Sequence, residues 1–203
     1  MGAAAQTVVL ASRNAGKLAE LQPLLAPLGW QLKPLSEFTD RLADENAPSF
    51  VENALVKARF AAAASGLAAI ADDSGLLVDA LGGAPGVVSA RYAGPDASDA
   101  DNNQKLLGAL KRVPDARRGA RYVCVMVYLS GADDRLPVIA QGSWRGTILH
   151  NPSGAGGFGY DPLFFVPELK RSAAELAPEI KHRVSHRGKA ARHLLSLLQQ
   201  SHG

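Results

Sequence analysis

The sequence predicts an α/β protein, a mixed β-sheet flanked by helices, on three observations. Thr7 to Ala11 is a short β-branched run. It breaks at Ser12-Arg-Asn-Ala-Gly16 and passes into leucines at helical spacing, Leu18, Leu21, Leu24, Leu25 and Leu28. Ser49 to Ser65 has a helical period, ends at Gly66 and leads directly into the apolar run Leu67 to Ala71, so a second helix feeds a second buried strand. Ala120 to Leu129 and Leu136 to Trp144 are long, partly alternating runs across Gly131-Ala-Asp-Asp134, a hairpin that extends the sheet antiparallel.

The remaining elements follow in order. Trp30 to Leu35 reads as a further strand, and Ser36 to Pro48 as a polar, acidic loop. In the helix over 49–65, Phe50, Ala54, Leu55, Ala58 and Ala61 to Ala64 form the apolar side, with Glu52 and Lys57 placed outside. Gly82-Gly-Ala-Pro-Gly86 turns, and Ser98 caps a helix reaching Arg112. Ser172-Ala-Ala-Glu175 is a capping box. The last helix runs from Ser185 to Gln200 with Leu194, Leu195, Leu197 and Leu198 toward the core.

A chain of 203 residues suffices for one well-buried domain. With 47% hydrophobic and 20% charged residues it reads as soluble and globular, and no apolar run approaches the roughly 20 residues of a membrane span. The first residues lack a signal peptide, and Gln6 stands where myristoylation requires Ser or Thr. The single cysteine, Cys124, lies in an apolar run; it reads as core and fits a reducing cytoplasm. A net charge of +3 is too small to argue for nucleic acid, although basic residues gather between Lys170 and Arg192.

Three stretches carry chemistry. The strand ending in Asp72-Asp73-Ser74-Gly75 would present two carboxylates at its carboxyl end, where α/β proteins place ligands; the same residues also suit an ordinary turn. Adjacent acids suit a hard divalent cation shared with a substrate phosphate. The strand–turn–helix at Ser12 to Lys17 is a phosphate cradle, but not a P-loop, because the required first Gly and the Ser or Thr after the lysine are missing. In Ser153-Gly-Ala-Gly-Gly-Phe-Gly-Tyr-Asp-Pro162, glycines permit close backbone approach. Phe158 and Tyr160 offer stacking faces, and Asp161 an acceptor for a base edge. His186 and Arg187 open the last helix, whose N-terminus favours an anion.

Together these pieces resemble the Ham1-type nucleoside-triphosphate pyrophosphatase family, also called inosine triphosphatase or XTP/dITP diphosphatase. The resemblance rests on Ser12-Arg-Asn-Ala-Gly-Lys17, Phe50-Val-Glu-Asn-Ala54, Ala71-Asp-Asp-Ser-Gly75, Gly82-Gly-Ala-Pro-Gly86, Ser89-Ala-Arg-Tyr92, Gly156-Gly-Phe-Gly-Tyr-Asp-Pro162 and Ser185-His-Arg-Gly188, in that order along nearly the whole chain. It implies one domain over residues 1–203, with an elongated mixed sheet, two lobes and a central substrate cleft, in a cytoplasmic homodimer. It implies Mg²⁺-dependent hydrolysis of ITP, dITP and XTP to monophosphate and pyrophosphate, with no stable nucleic-acid or membrane partner.

The resemblance makes Asp73 the general base and a metal ligand, with Asp72 assisting; Glu45, or its neighbour Asp44, would be the second metal acid. Ser12, Arg13, Asn14, Ala15, Gly16 and Lys17 would hold the triphosphate, with Ser74 nearby. Phe158, Gly159, Tyr160 and Asp161 would hold the base, and Lys181, His186 and Arg187 would complete the nucleotide site. Arg13 and Ala155 depart from the family's commoner small residue and Thr. A Maf-like pyrophosphatase is the nearest rival, against which the elements around Phe158 and His186 argue. A nucleic-acid module is the rival class.

Overall fold

The structure is a computed structural model and describes residues 6–12 and 15–201. Arg13 and Asn14, expected at the phosphates, lie outside the described residues. The strands are β1 (Gln6–Leu10), β2 (Trp30–Pro34), β3 (Ala68–Val78), β4 (Gly119–Leu129), β5 (Val138–Ile148), β6 (Phe164–Val166) and β7 (Arg171–Ser172). The α-helices are α1 (Ala15–Leu25), α2 (Phe50–Ser65), α3 (Asp99–Ala109), α4 (Pro178–Val184) and α5 (His186–Ser201).

The strands form one mixed sheet in the order β2-β1-β3-β4-β5-β6-β7. β1 lies parallel to β2 and to β3, with Val8 opposite Leu32 on one side and Ala68 on the other. β5, β6 and β7 run antiparallel. The predicted hairpin strands, β4 and β5, are neighbours joined by residues 130–137, too short a connection for a parallel crossover. β5 starts two residues later than predicted and runs four further. Pro137 cannot donate to a ladder and Leu136 is 85% exposed, whereas Trp144 and Ile148 keep alternate positions buried.

The chain divides into two compact units: Met1–Asp73, Cys124–Gly142 and Arg187–Gly203 in the first, Ser74–Val123 and Ser143–His186 in the second. In the first unit, period-two alternation sorts side chains onto two faces. Val8, Leu10, Ile70, Cys124 and Met126 pack with Leu21 and Leu25 of α1 and Leu194 and Leu198 of α5. Val9, Ala69, Ala71, Val125 and Val127 pack instead with Ala54, Ala58, Ala61 and Ala62 of α2. The side chain of Ser49 caps α2, and Gly66 ends it at φ 69°, a left-handed conformation that Gly adopts without steric penalty.

The second unit has its own core, built on Leu76, Leu106, Leu110, Tyr122, Trp144, Tyr160, Leu163 and Phe164. The ring of Tyr122 stacks on that of His186, centroids 4.6 Å apart and 9° from parallel. Arg118, 2% exposed, donates from Nε to the Ile148 carbonyl (2.7 Å), from Nη1 to that of Leu110 (2.9 Å) and from Nη2 to that of Leu149 (2.9 Å). It therefore ties the end of α3 to the end of β5.

β3 corrects one expectation. The strand does not stop at the acids. It continues through Asp72 to Val78, because Leu76 and Val78 supply further buried alternate positions. Asp72 and Asp73 are therefore interior strand residues, and successive side chains of a strand point to opposite faces.

Candidate active site

The alternation carries each acid to a different set of partners. Asp72 continues the face of Ile70, toward α1 and α5. Its Oδ1 accepts from Lys17 Nζ at 2.9 Å, and Oδ2 lies 3.5 Å from Arg187 Nε. Arg187 also donates from Nη1 to Glu20 Oε2 at 2.6 Å. All of this is sheltered: Asp72 is 2% exposed and Arg187 4%. Burial alone would raise the Asp72 pKa, but Lys17, Arg187 and Lys57 together hold it well below the usual carboxylate range. Asp72 and Glu20 likewise push the Arg187 pKa up against the cost of burial.

Asp73 continues the face of Ala71, toward α2. Its Oδ1 accepts from Lys57 Nζ at 2.8 Å and its Oδ2 from Asn53 Nδ2 at 3.4 Å. Lys57 Nζ donates equally, at 2.8 Å, to Glu45 Oε2. Burial pushes the Asp73 pKa up, the Glu45 and Asp72 charges add to it, and Lys57 opposes without reversing the direction. Lys57 itself is held protonated by Asp73, Asp72 and Glu45 in spite of burial.

Lys57 departs from its expected place on the solvent side of α2. It is 8% exposed and points inward. The signal was present, since 50, 54, 57, 58 and 61 share one helical face. Asn53 on the same face was also missed as a functional residue. Its Nδ2 donates to the Ala47 carbonyl (3.3 Å), and its Oδ1 accepts from the Ala47 N–H (3.0 Å). Asn53 thereby pins the acidic loop that carries Glu45. Asp44 is exposed, and Glu45 is the acid paired with Lys57.

A cavity of about 220 Å³ opens here, lined among others by Ser12, Lys17, Glu45 and Lys57, with Leu35 and Phe60 as apolar wall. Ser12 follows β1, Ala15 and Gly16 begin α1, and Lys17 stands on its first turn. Glu45 and Asp73 already converge on one cation, the Lys57 ammonium, and both are hard oxygen donors. That donor set fits a divalent ion that takes one or two carboxylates and fills its remaining positions with phosphate and water.

In the second unit Asp161, 3% exposed, organises the glycine-rich loop. Its Oδ2 accepts from the Phe158 N–H at 2.9 Å and from Lys181 Nζ at 2.6 Å. Lys181 Nζ also lies 4.9 Å from the centre of the Phe158 ring. Gly157 sits at φ 74°, and a Cβ there would strike the Asp161 carboxylate. The loop is held by α3: the Gly159 N–H donates to Asp99 Oδ2 (2.6 Å) and Asn103 Nδ2 to the Gly159 carbonyl (3.0 Å).

Of the two aromatics expected to offer stacking faces, only Phe158 does, at 38% exposed. Tyr160 is 4% exposed and donates its hydroxyl to the Ser89 carbonyl at 2.8 Å. Its ring is core because Leu163 and Phe164 pack in the same cluster, and burial pushes its pKa up. His186, 6% exposed, is set by its stack on Tyr122, and Ser74 is half-buried on β3.

A charged strand centre, a lysine-bearing turn after β1 and an Asp-anchored glycine loop occur together in one sequence order, and residues 8–197 match the model of the Ham1 family. The chain belongs to the Ham1 family. A curated dITP/XTP pyrophosphatase of Yersinia pestis is 54% identical over 196 residues, covering 97% of this chain and 100% of the relative. One from Methylococcus capsulatus is 58% identical over 192 residues, covering 95% and 96%. Among solved structures, a HAM1 protein from Coxiella burnetii superposes with a TM-score of 0.89 at 47% identity, covering 96% of this chain and 99% of that one. The Staphylococcus aureus Ham1 protein gives 0.85 at 38% identity, covering 97% and 100%. The Ham1 fold is thus the α/β mixed sheet described above, and no helix among the described residues is long and apolar enough to cross a membrane.

Proposed function

We propose that this Ham1 protein is a nucleoside-triphosphate pyrophosphatase, a hydrolase acting on acid anhydrides. It converts the deaminated purine nucleotides dITP, ITP and XTP to monophosphate and pyrophosphate, and so keeps them out of DNA and RNA. The substrate class is supported by the names of relatives such as those from Yersinia pestis and Methylococcus capsulatus. The observation that carries the chemistry is the division of labour along β3, with a fixed cationic pair on one face and a paired acid site on the other.

Hydrolysis at the α-phosphorus asks the protein for positioning and charge neutralisation rather than covalent chemistry. Lys17 and Ser12, with the backbone at Ala15 and Gly16 opening α1, receive the triphosphate at the helix N-terminus; Arg13 and Asn14 are assigned to the same phosphate group from the sequence alone. Asp72 assists by holding Lys17 and Arg187 in place. Asp73 orients the attacking water and takes its proton, a role for which an upward-shifted carboxylate is suited and which is worth typically 10²–10⁴-fold. Glu45 and Asp73 would hold Mg²⁺, which when bound neutralises phosphate charge and acidifies water.

In the second unit Phe158 supplies the stacking face. Lys181, held by Asp161, donates to a 6-oxo group, with His186 as the second donor. Adenine presents an amino donor at that position, and an unpaired buried donor costs about 1–3 kcal/mol. We read residues 1–203 as one functional domain and assign Ser74 to the nucleotide site; we place the enzyme in the cytoplasm as a homodimer with no stable nucleic-acid partner.

The test is pyrophosphate release with Mg²⁺ from dITP, XTP, dATP and dGTP under identical conditions. Fast release from dITP and XTP alone is the expected result. Equal rates on all four, or orthophosphate as the direct product, would overturn the reading.

A further inference from the structure

Two carboxylates brought together in a half-buried site repel one another unless a cation lies between them. Here that cation is part of the chain. Lys57 Nζ is 2.8 Å from Glu45 Oε2 and 2.8 Å from Asp73 Oδ1, and its side chain is only 9% exposed. Its stem rises from the alanine face of α2, and Asn53, one turn earlier, fixes both the loop carrying Glu45 and the Asp73 carboxylate. Resting on the reading of Glu45 and Asp73 as the metal pair, we propose that Lys57 is an internal counter-ion that a divalent metal must displace to reach them.

The geometry makes the competition exclusive. An ammonium sits about 2.8 Å from its acceptors, as here. Mg²⁺ requires oxygens at about 2.0–2.1 Å, so the carboxylate oxygens that now hold Nζ would have to release it to take up the ion. An ammonium left between the same oxygens would face a doubly charged neighbour at contact distance. The four-carbon stem allows the head to leave without moving α2.

A consequence for loading follows. Free metal gains two carboxylates but loses the energy of an existing pair. Metal arriving with a triphosphate breaks the same pair, but phosphate contacts with Lys17 and the N-terminus of α1 offset that loss. Lys57 therefore disfavours idle metal binding and couples metal uptake to substrate.

The experiment is binding of Mn²⁺, as a probe for Mg²⁺, to the full chain without nucleotide, read by the electron paramagnetic resonance of the free ion. Lys57→Met, and Lys57→Gln as a second variant should the first fold poorly, are expected to bind Mn²⁺ roughly tenfold tighter than wild type. They should also melt lower without metal and recover more on adding it. Unchanged or weaker Mn²⁺ binding would overturn the displacement. Asp73→Asn and Glu45→Gln in the Lys57→Met background separate the two ideas. If they abolish binding while Lys57→Met is no tighter than wild type, the metal pair stands and displacement alone falls. If they leave binding intact, the metal-pair reading falls, and displacement with it.

Discussion

Replacing Asp72 by Asn leaves the shape of the side chain but removes the charge between Lys17 and Arg187. Arg187, 4% exposed, then loses its Asp72 partner and keeps its bond to Glu20. Removing one partner of a buried pair costs about 3–5 kcal/mol. Lys17 retains 19% side-chain exposure, and Glu20 still serves Arg187, so the lower end, about 3 kcal/mol, is expected here. For a chain of this size that is roughly 6–12 °C in Tm. The pH dependence gives a sharper check. Asp72 has a folded pKa depressed below its unfolded value of 3.8, so its contribution is fully present above that value and is lost as pH falls. Below about pH 3.8 the loss proceeds at about 1.4 kcal/mol per pH unit, one proton's worth. Urea denaturation from pH 6 to pH 2.5, without metal and at constant ionic strength, should show the gap between wild type and Asp72→Asn narrowing by that slope. A gap that stays constant across the range, or an Asn variant as stable as wild type at pH 6, would refute the assignment of Asp72 as the anchor of the cationic pair.

Asp73→Asn should behave differently from its neighbour: turnover falls by at least about 10²-fold while nucleotide binding and most of the stability survive, since the Asp73 pKa is raised rather than lowered. Stopped product formation alongside equilibrium nucleotide binding checks this, and near-normal turnover would remove Asp73 as base. Asp161→Asn frees Lys181 from its 2.6 Å ion pair and should raise KM for dITP more than it lowers kcat, narrowing the preference over dATP; steady-state kinetics on both nucleotides decide it. Arg118→Lys cannot reproduce a fork to three carbonyls and should cost about 2–3 kcal/mol by urea denaturation, with kinetic constants little changed in the surviving folded fraction.

Where the pattern was local, the sequence was readable. The Ser98 cap, the Ser172 capping box, the Gly66 stop and the apolar runs of β1 and β4 all appear where spacing placed them, since each depends on residues within one turn or one strand. Burial set by distant partners was not readable in the same way. Tyr160 looked like a ligand face because its neighbours are glycines, yet Ser89 and the Leu76 cluster claim it. Lys57 looked like solvated charge because lysine is seldom buried, and its partners lie 12 and 16 residues away. The end of β3 was misplaced for a related reason. Acids are poor strand formers, and only the cations on α1, α2 and α5 make them tolerable inside one.

The same strand explains why the two acids are not interchangeable. Pairing of Ala68 with Val8 and of Ile70 with Leu10 fixes the register of β3 against β1. Alternation of Ile70 and Ala71 between the two cores fixes which face each residue meets. Slipping β3 by one residue would send Asp73 toward Lys17 and Arg187, and Asp72 toward Lys57, while driving Ile70 into the alanine-lined face of α2. Ala58, Ala61 and Ala62 are buried against that face, where the strand itself contributes Ala69 and Ala71, so an isoleucine in their place would overpack it. Packing of the apolar residues two positions upstream, Ile70 and Ala71, thus decides which carboxylate is locked between cations and which is paired with Glu45 through Lys57. In this fold the chemistry is placed by a parity rule that the core enforces.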